Sequence, residues 1–215
     1  MRKISSEKLE QELARLERMK EYERKYEGYS IVCGIDEAGR GPLAGPVVAA
    51  AAVLPKDATI LWLNDSKKLS EKRREELFQE IQEKAVTYGV GVVSPAVIDE
   101  INILQATYEA MRQAVSALSS EPDILLNDAV IIPGIDEKKQ VKIIKGDAKS
   151  VSIAAASILA KVTRDRMMGE YDKLYPEYGF AQHKGYGTKA HMDAIREFGV
   201  CPIHRRSFLT KMDLK

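Results

Sequence analysis

Residues 34–46 have the sequence Gly34-Ile35-Asp36-Glu37-Ala38-Gly39-Arg40-Gly41-Pro42-Leu43-Ala44-Gly45-Pro46. The apolar segments on either side, residues 31–36 and 46–54, have the length and composition of buried strands. Two adjacent carboxylates, Asp36 and Glu37, therefore lie at a strand end, where they repel each other and lose water. A cation removes that cost, so the pair predicts a metal site with oxygen ligands. If only these two acids are considered, the alternative to a metal site is a solvated turn.

The glycines of this stretch suit a backbone that turns sharply or closely approaches another group. Their spacing is not that of a dinucleotide-binding loop, and Pro42 stands where the helix of such a loop would run. No Gly-Lys-Ser/Thr sequence closes the stretch, so it is not a P-loop.

The composition indicates one domain with a full hydrophobic core. The chain has 215 residues, of which 33 are basic and 32 acidic, so any nucleic-acid-binding face must be local. Cys33 and Cys201 are far apart in the sequence, which favours free thiols in a reducing compartment. The first residues predict a charged helix rather than a signal peptide, and no apolar run is long enough to span a bilayer. We therefore expect a soluble intracellular protein.

Hydrophobic periodicity and cap residues predict alternating strands and helices. The predicted strands are residues 31–36, 46–54, 87–93, 123–128 and 141–145, and the predicted helices are residues 5–26, 71–86, 102–118, 151–172 and 188–198, with one more beginning at Pro95. This order predicts an α/β fold with a central mixed β-sheet flanked by helices and a C-terminal helical cap from about residue 176.

The predicted domain organisation has two parts. Residues 1–28 form an N-terminal helical extension with a narrow apolar stripe that includes Leu9, Leu13, Leu16 and Met19. The extension either reaches a partner or substrate or packs on its own domain, and the second alternative is favoured. Residues 29–215 form the main domain, and we expect a monomer.

Two further acids follow the same pattern as the first pair. Asp128 is the last residue of a predicted strand, and another predicted strand, which begins at Val141, ends in Gly146-Asp147. Because neighbouring strands of such a sheet end at one crevice, we expect Asp36, Glu37, Asp128 and Asp147 to converge there.

Five motifs then resemble type 2 ribonuclease H (ribonuclease HII) of bacteria. They are residues 34–42 (GIDEAGRGP), 65–70 (DSKKLS), 145–150 (KGDAKS), 155–165 (AASILAKVTRD) and 183–188 (HKGYGT). The resemblance implies a ribonuclease H-like fold and a cytoplasmic endonuclease. It also implies cleavage of the RNA strand of RNA–DNA hybrids and of duplex DNA at embedded single ribonucleotides, giving 5′-phosphomonoesters.

The resemblance implies that Asp36, Glu37, Asp128 and Asp147 are catalytic and bind two ions of Mg²⁺ or Mn²⁺. Two such ions, about 4 Å apart, activate water and relieve charge on the leaving oxygen. We expect Asp36 to bridge them. Asp165 is set aside as an ion-pair partner of Lys161 on a solvated helix face.

The resemblance also implies substrate-binding residues. The backbone of Gly39, Arg40 and Gly41 would recognise the ribose 2′-OH, which alone distinguishes RNA from DNA at one nucleotide. Tyr186 would pack on the following nucleotide. The candidates for phosphate contacts are Lys67, Lys68, Lys149 and Lys184. The segment His204-Arg205-Arg206 either clamps a strand or is a charged tail, and the three histidines lack zinc spacing.

Two residues depart from the family pattern beside the third acid. Asn127 occupies a strand position that we expect to be apolar, and Ala129 stands where many members have glycine. Neither removes a carboxylate. A hybrid-binding module without catalysis remains the alternative, and a phosphatase of small phosphates is a third reading that the Gly-Arg-Gly and His-Lys-Gly-Tyr segments oppose.

Overall fold

The computed structural model describes residues 5–210. Predictions that fall on residues 1–4 and 211–215, which include the first and last parts of the two predicted domains, lie outside the described residues.

A five-stranded mixed sheet forms the centre of the molecule, as predicted. Its strands are β1 (Val32–Ala38), β2 (Val47–Val53), β3 (Thr87–Val93), β4 (Ile124–Asp128) and β5 (Gln140–Ile143). The spatial order is β3-β2-β1-β4-β5; β1 pairs antiparallel with β2 and parallel with β4, β2 pairs antiparallel with β3, and β4 pairs parallel with β5. The predicted α/β class is therefore confirmed, and strand ends move by no more than about two residues, as is usual for sequence-based boundaries.

Helices cover both faces of the sheet. They are α1 (Ser6–Met19), α2 (Glu21–Lys25), α3 (Glu71–Lys84), α4 (Pro95–Ser116), α5 (Val151–Leu174), α6 (Phe180–His183), α7 (Lys189–Phe198) and α8 (Arg206–Leu209). Helix α4 packs on one face and α5, supported by α3, on the other. Every residue of β2 is buried, and its four alanines give both helices room to approach the sheet.

Helix α5 approaches β1 most closely at Gly34. A Cβ at this position would lie 2.1 Å from the carbonyl carbon of Ser152 in the first turn of α5. Only glycine allows this contact. It brings the beginning of α5 next to the strand that carries Asp36.

The extension is not the single helix that we predicted. Helix α1 ends at Met19, Lys20 leaves the helical path, and α2 follows. The predicted apolar stripe is also partly wrong, because Leu13 is exposed and Glu12 takes a buried position. The Glu12 carboxylate accepts a 2.6 Å hydrogen bond from the Trp62 amide, so a polar group anchors α1 on the main domain.

Helix α4 contains the two predicted helices, joined at a kink. Asn102 has φ 67° and ψ 164°, outside the helical region, and its side-chain oxygen accepts from the amides of Leu104 and Gln105. Asn102 thus caps the second half, as expected at an N-terminus. Leu104, in the first turn of this second half, is exposed.

The C-terminal region is helical, as predicted, and packs around Tyr178 and Phe180. It begins with a 3-10 turn, Pro176–Tyr178, which the short helix α6 follows. Thr188 caps α7. Among the described residues, no helix is both long enough and apolar enough to cross a membrane.

Candidate active site

Three of the four predicted acids converge at one end of the sheet. Asp36 and Asp128 lie on the paired parallel strands β1 and β4. Asp147 lies in a 3-10 turn after β5 rather than at the strand end. One carboxylate oxygen from each residue lies within 4.8 Å of the other two.

A hydrogen bond joins Asp128 to the turn that carries Asp147. The Asp128 carboxylate accepts from the Gly146 amide at 2.7 Å, which ties the turn after β5 to the end of β4. Lys145 enters this turn with φ 57°, and a Cβ on Gly146 would lie 2.5 Å from Ile153. A side chain at position 146 would therefore displace Ile153, which packs beneath the turn that carries Asp147.

Glu37 lies beside this cluster but is not part of it. Successive strand residues point to opposite faces, so Glu37 does not share the orientation of Asp36. Its carboxylate pairs with Arg40 at 3.4 Å. Burial raises the pKa of Glu37, while the Arg40 charge opposes that change.

The cluster carries excess negative charge. Burial, followed by the charges of Glu37 and Asp128, raises the pKa of Asp36 well above its ordinary value. Burial, followed by the charges of Asp65 and Asp128, raises the pKa of Asp147. A hard divalent cation fits such a set of close, buried carboxylate oxygens, because it supplies the missing charge and prefers oxygen ligands.

We predict that the cluster destabilises the metal-free protein at neutral pH. Because the pKa of Asp36 is raised in the folded state, its favourable contribution is complete below the unfolded pKa and is lost as pH rises through the folded pKa. Asp36→Asn should therefore raise the free energy of unfolding, and by more at pH 7.5 than at pH 5. Urea titrations in chelator measure this, with the exposed Asp57→Asn as control. An equal gain at both pH values would contradict the prediction.

A cleft of about 210 Å³ opens beside Asp36. Five of the eight predicted substrate-binding residues line this cleft: Gly39, Arg40, Gly41, Lys67 and Tyr186. Burial lowers the pKa of Lys67, but the surrounding carboxylates, led by Asp36, outweigh burial and raise it. Sequence reasoning did not assign Ser66, Ser157, Lys161 and Arg164 to this cleft, although all four lie within the quoted motifs 65–70 and 155–165.

The other three lysines lie outside the cleft. Lys68 and Lys149 line a separate groove together with Arg15 and Arg18 of the extension. The Lys184 ammonium lies 3.8 Å from Glu71.

The buried side chain of Arg205 binds the main chain of the glycine-rich loop. The prediction that this residue clamps a nucleic-acid strand or belongs to a charged tail is therefore wrong. Arg205 is fully buried and forms no ion pair with a described residue. Its guanidinium donates to the carbonyl oxygens of Gly39, Arg40, Gly45 and Pro46 at 2.6, 3.0, 2.9 and 3.1 Å. Burial lowers its pKa to about 9, so the group stays charged at neutral pH.

Arg164 connects the same loop to the segment that carries Tyr186. Its guanidinium donates to Pro46 and Ala44 at 2.9 and 3.0 Å, and to Lys184 at 2.9 Å. Gly39 has φ 96°, and a Cβ there would lie 2.1 Å from Nε of Arg164. Two buried arginines therefore fix the main chain on both sides of the cleft.

Asp165 forms the predicted ion pair with Lys161, at 2.6 Å. The prediction that Asp165 lies on a solvated helix face is wrong, because the residue is buried. Its carboxylate also lies 3.7 Å from the Arg74 guanidinium. This acid is occupied by two cations outside the acidic cluster.

The structure explains the two residues next to Asp128, Asn127 and Ala129, that depart from the family pattern. Asn127 is buried and donates to Gln140 at 2.8 Å, and Gln140 in turn bonds the main chain of Ile132 and Ile135. An amide pair thus replaces the apolar contact that we expected. Ala129 has φ 56°, the left-handed conformation that glycine adopts without strain.

Comparisons with known proteins identify one family. The family model described as Ribonuclease HII matches residues 33–211. Ribonuclease HII of Lachnoclostridium phytofermentans is 61% identical over 206 residues, covering 96% of this chain and 81% of the relative. That of Ruminiclostridium cellulolyticum is 59% identical over 204 residues, covering 94% and 80%.

A solved structure shows the same architecture. Ribonuclease H2 from Pyrococcus horikoshii superimposes with a TM-score of 0.67 at 31% identity, covering 82% of this chain and 93% of that one. The family model, the relatives and the fold agree with one another, so the chain belongs to the ribonuclease HII family.

Proposed function

We propose that this ribonuclease of RNA–DNA hybrids works with two divalent cations, Mg²⁺ or Mn²⁺, and also incises duplex DNA at single embedded ribonucleotides. Asp36, Glu37, Asp128 and Asp147 would hold the ions. The observation that carries the proposal is the approach of three carboxylates, from β1, β4 and the turn after β5, to within 4.8 Å.

The residues of the chain have defined roles in this proposal. Bound divalent ions lower the pKa of a water molecule and stabilise charge on the leaving oxygen. Asp36, the most buried of the four acids, forms the base of the site. The Gly146 amide holds Asp128 in place, and Arg40 holds Glu37 at the rim.

The main chain of residues 39–41 is arranged to recognise a ribose. Arg205 binds the carbonyl oxygens of Gly39 and Arg40. Because C=O and N–H point in opposite directions across a trans peptide, the amides of Arg40 and Gly41 point away from Arg205. These amides can donate to a 2′-OH, which DNA lacks.

Basic groups around the cleft supply phosphate contacts. We assign Lys67 to the phosphate nearest the acids, because it lies in the cleft among their carboxylates. Lys68 and Lys149 would bind the backbone farther away, in the groove that they share with the extension. Lys184 is paired with Glu71 and is not included.

A labelled DNA duplex with one ribonucleotide tests the proposal. We expect incision at the ribonucleotide with Mg²⁺ or Mn²⁺ and none with chelator, while an all-DNA duplex stays intact. Binding of both hybrid and single-ribonucleotide duplexes without any cleavage would instead support a binding module.

Tyr186 should matter most when a single ribonucleotide is the substrate. We predict that Tyr186→Ala lowers kcat/KM for such a duplex by about tenfold, since one stacked ring contributes about 1–3 kcal/mol. Long hybrids offer many positions and should lose less than about threefold. Equal losses on both substrates, measured under single-turnover conditions, would contradict a role in sensing the RNA–DNA junction.

We further propose that the enzyme acts as a monomer in the cytoplasm. The three clustered acids and the cleft are formed by residues of a single chain, and Cys33 and Cys201 are free thiols. Light scattering of the purified protein, with and without hybrid, measures its molar mass and therefore tests whether it is a monomer.

A further inference from the structure

Tyr186 lines the cleft although its side chain has little support from the core. The residue is 45% exposed. Its main chain, in contrast, is firmly held. Its amide donates to the His183 carbonyl at 2.9 Å, and its carbonyl accepts from the Thr188 amide at 2.8 Å and from Nδ1 of His191 at 2.9 Å. The position of the ring therefore depends on these main-chain contacts.

His191 is itself held by a second buried histidine. Nε2 of His191 lies 3.1 Å from Nε2 of His204, and both side chains are almost completely buried. The Tyr186 carbonyl can only accept, so Nδ1 of His191 carries a proton. A neutral imidazole then accepts at Nε2, and Nε2 of His204 must be the donor.

The third contact completes this assignment. Nδ1 of His204, which carries no proton in this assignment, accepts from the Cys201 amide at 2.9 Å and lies 3.1 Å from Sγ and 3.3 Å from the carbonyl oxygen of Cys201. One arrangement of protons thus satisfies the path from Cys201 to Tyr186. Burial lowers the pKa of His191 and of His204 to about 4, which keeps both rings neutral at physiological pH.

His183 supports the same arrangement from the side. Its ring stacks on His191 with centroids 4.4 Å apart. Its Nε2 donates to the Tyr178 carbonyl at 2.8 Å, and its Nδ1 accepts from the Gly185 amide at 3.2 Å. These two hydrogen bonds fix the orientation of the His183 ring in the stack.

We propose that His191 and His204, the buried histidine pair, are positioning residues for Tyr186. Through directed hydrogen bonds they fix the Tyr186 carbonyl, and thereby the placement of its ring beside the cleft and the preference for single ribonucleotides. The inference rests on the role proposed above for Tyr186.

Two substitutions at His191 separate the hydrogen bond from packing. His191→Phe keeps an aromatic ring but removes the donor to Tyr186, whereas His191→Asn restores a donor near the position of Nδ1. His191→Phe should lower kcat/KM for a single-ribonucleotide duplex by about tenfold and for a long hybrid by less than about threefold, the pattern expected for Tyr186→Ala. His191→Asn should recover most of the loss.

The double variant distinguishes positioning from general damage. If His191 acts through Tyr186, adding His191→Phe to Tyr186→Ala should cause little further loss, because coupled residues are not additive. Equal losses on both substrates, or a full additional loss in the double variant, would overturn the inference. A wild-type enzyme that leaves single-ribonucleotide duplexes intact would instead refute the proposed function.

Nitrogen NMR of the wild-type protein tests the proton arrangement without any variant, including the case in which His191→Phe does not fold. Signals for a neutral ring protonated at Nδ1 in His191 and at Nε2 in His204 are expected. The opposite assignment for either ring would overturn the inference. His183, protonated at Nε2, provides an internal comparison.

Discussion

Asp36→Asn should reduce cleavage of RNA–DNA hybrids by about three orders of magnitude, which corresponds to about 4 kcal/mol in the activation barrier. Asp36 is the most buried acid of the site, and its carboxylate lies within 4.8 Å of those of Asp128 and Asp147. An amide has almost the same shape but lacks the charge that a divalent cation requires. The substitution should therefore remove metal-dependent chemistry without disturbing the fold.

Affinity for the hybrid should change by less than about threefold, because phosphate and ribose contacts come from other residues. Single-turnover kinetics measure the cleavage rate. Fluorescence anisotropy, recorded in chelator for the wild type and the variant, measures the affinity for the hybrid. Asp57→Asn, a substitution of the same chemistry at an exposed position, is the control. Wild-type cleavage by the Asp36 variant would remove this residue from the site.

The strand pattern was sufficient to predict where Asp36 and Asp128 meet. Both lie on short apolar strands, and parallel neighbours place corresponding ends at one edge of the sheet. Asp147 reaches the same edge by a different route, since its turn is held by a hydrogen bond from Gly146 to Asp128. Convergence was thus predicted correctly for Asp36, Asp128 and Asp147 but not for Glu37, and Asp147 lies in a 3-10 turn rather than at the predicted strand end.

Long-range contacts decided what the sequence could not show. Arg205 and Arg206 are adjacent and chemically identical, yet the first is buried against the loop of residues 39–46 and the second is exposed. No local pattern distinguishes them, because the carbonyl groups that bind Arg205 lie about 160 residues away in the chain. The Asn127–Gln140 pair was hidden for the same reason, since the Asn127 amide finds its acceptor on the neighbouring strand, 13 residues away in the chain.

The substitution Arg205→Met should lower the free energy of unfolding by about 3 kcal/mol, because it leaves buried acceptors without donors. The carbonyl groups that lose their donor belong to Gly39, Arg40, Gly45 and Pro46. Methionine fills most of the volume, so the loss reports hydrogen bonding rather than a cavity. Arg205→Lys should recover only part of the stability, because an ammonium cannot reach acceptors on both sides as a planar guanidinium does.

Function should suffer in a characteristic way at a temperature where the Arg205→Met protein is still folded. The amides of Arg40 and Gly41 lose their fixed direction, so discrimination between ribose and deoxyribose should weaken and KM should rise more than kcat falls. Urea titration and steady-state kinetics measure the two effects, and the exposed neighbour Arg206→Met should change unfolding by less than about 0.5 kcal/mol. If Arg205→Met were as stable as Arg206→Met, the Arg205 guanidinium would not stabilise the loop of residues 39–46.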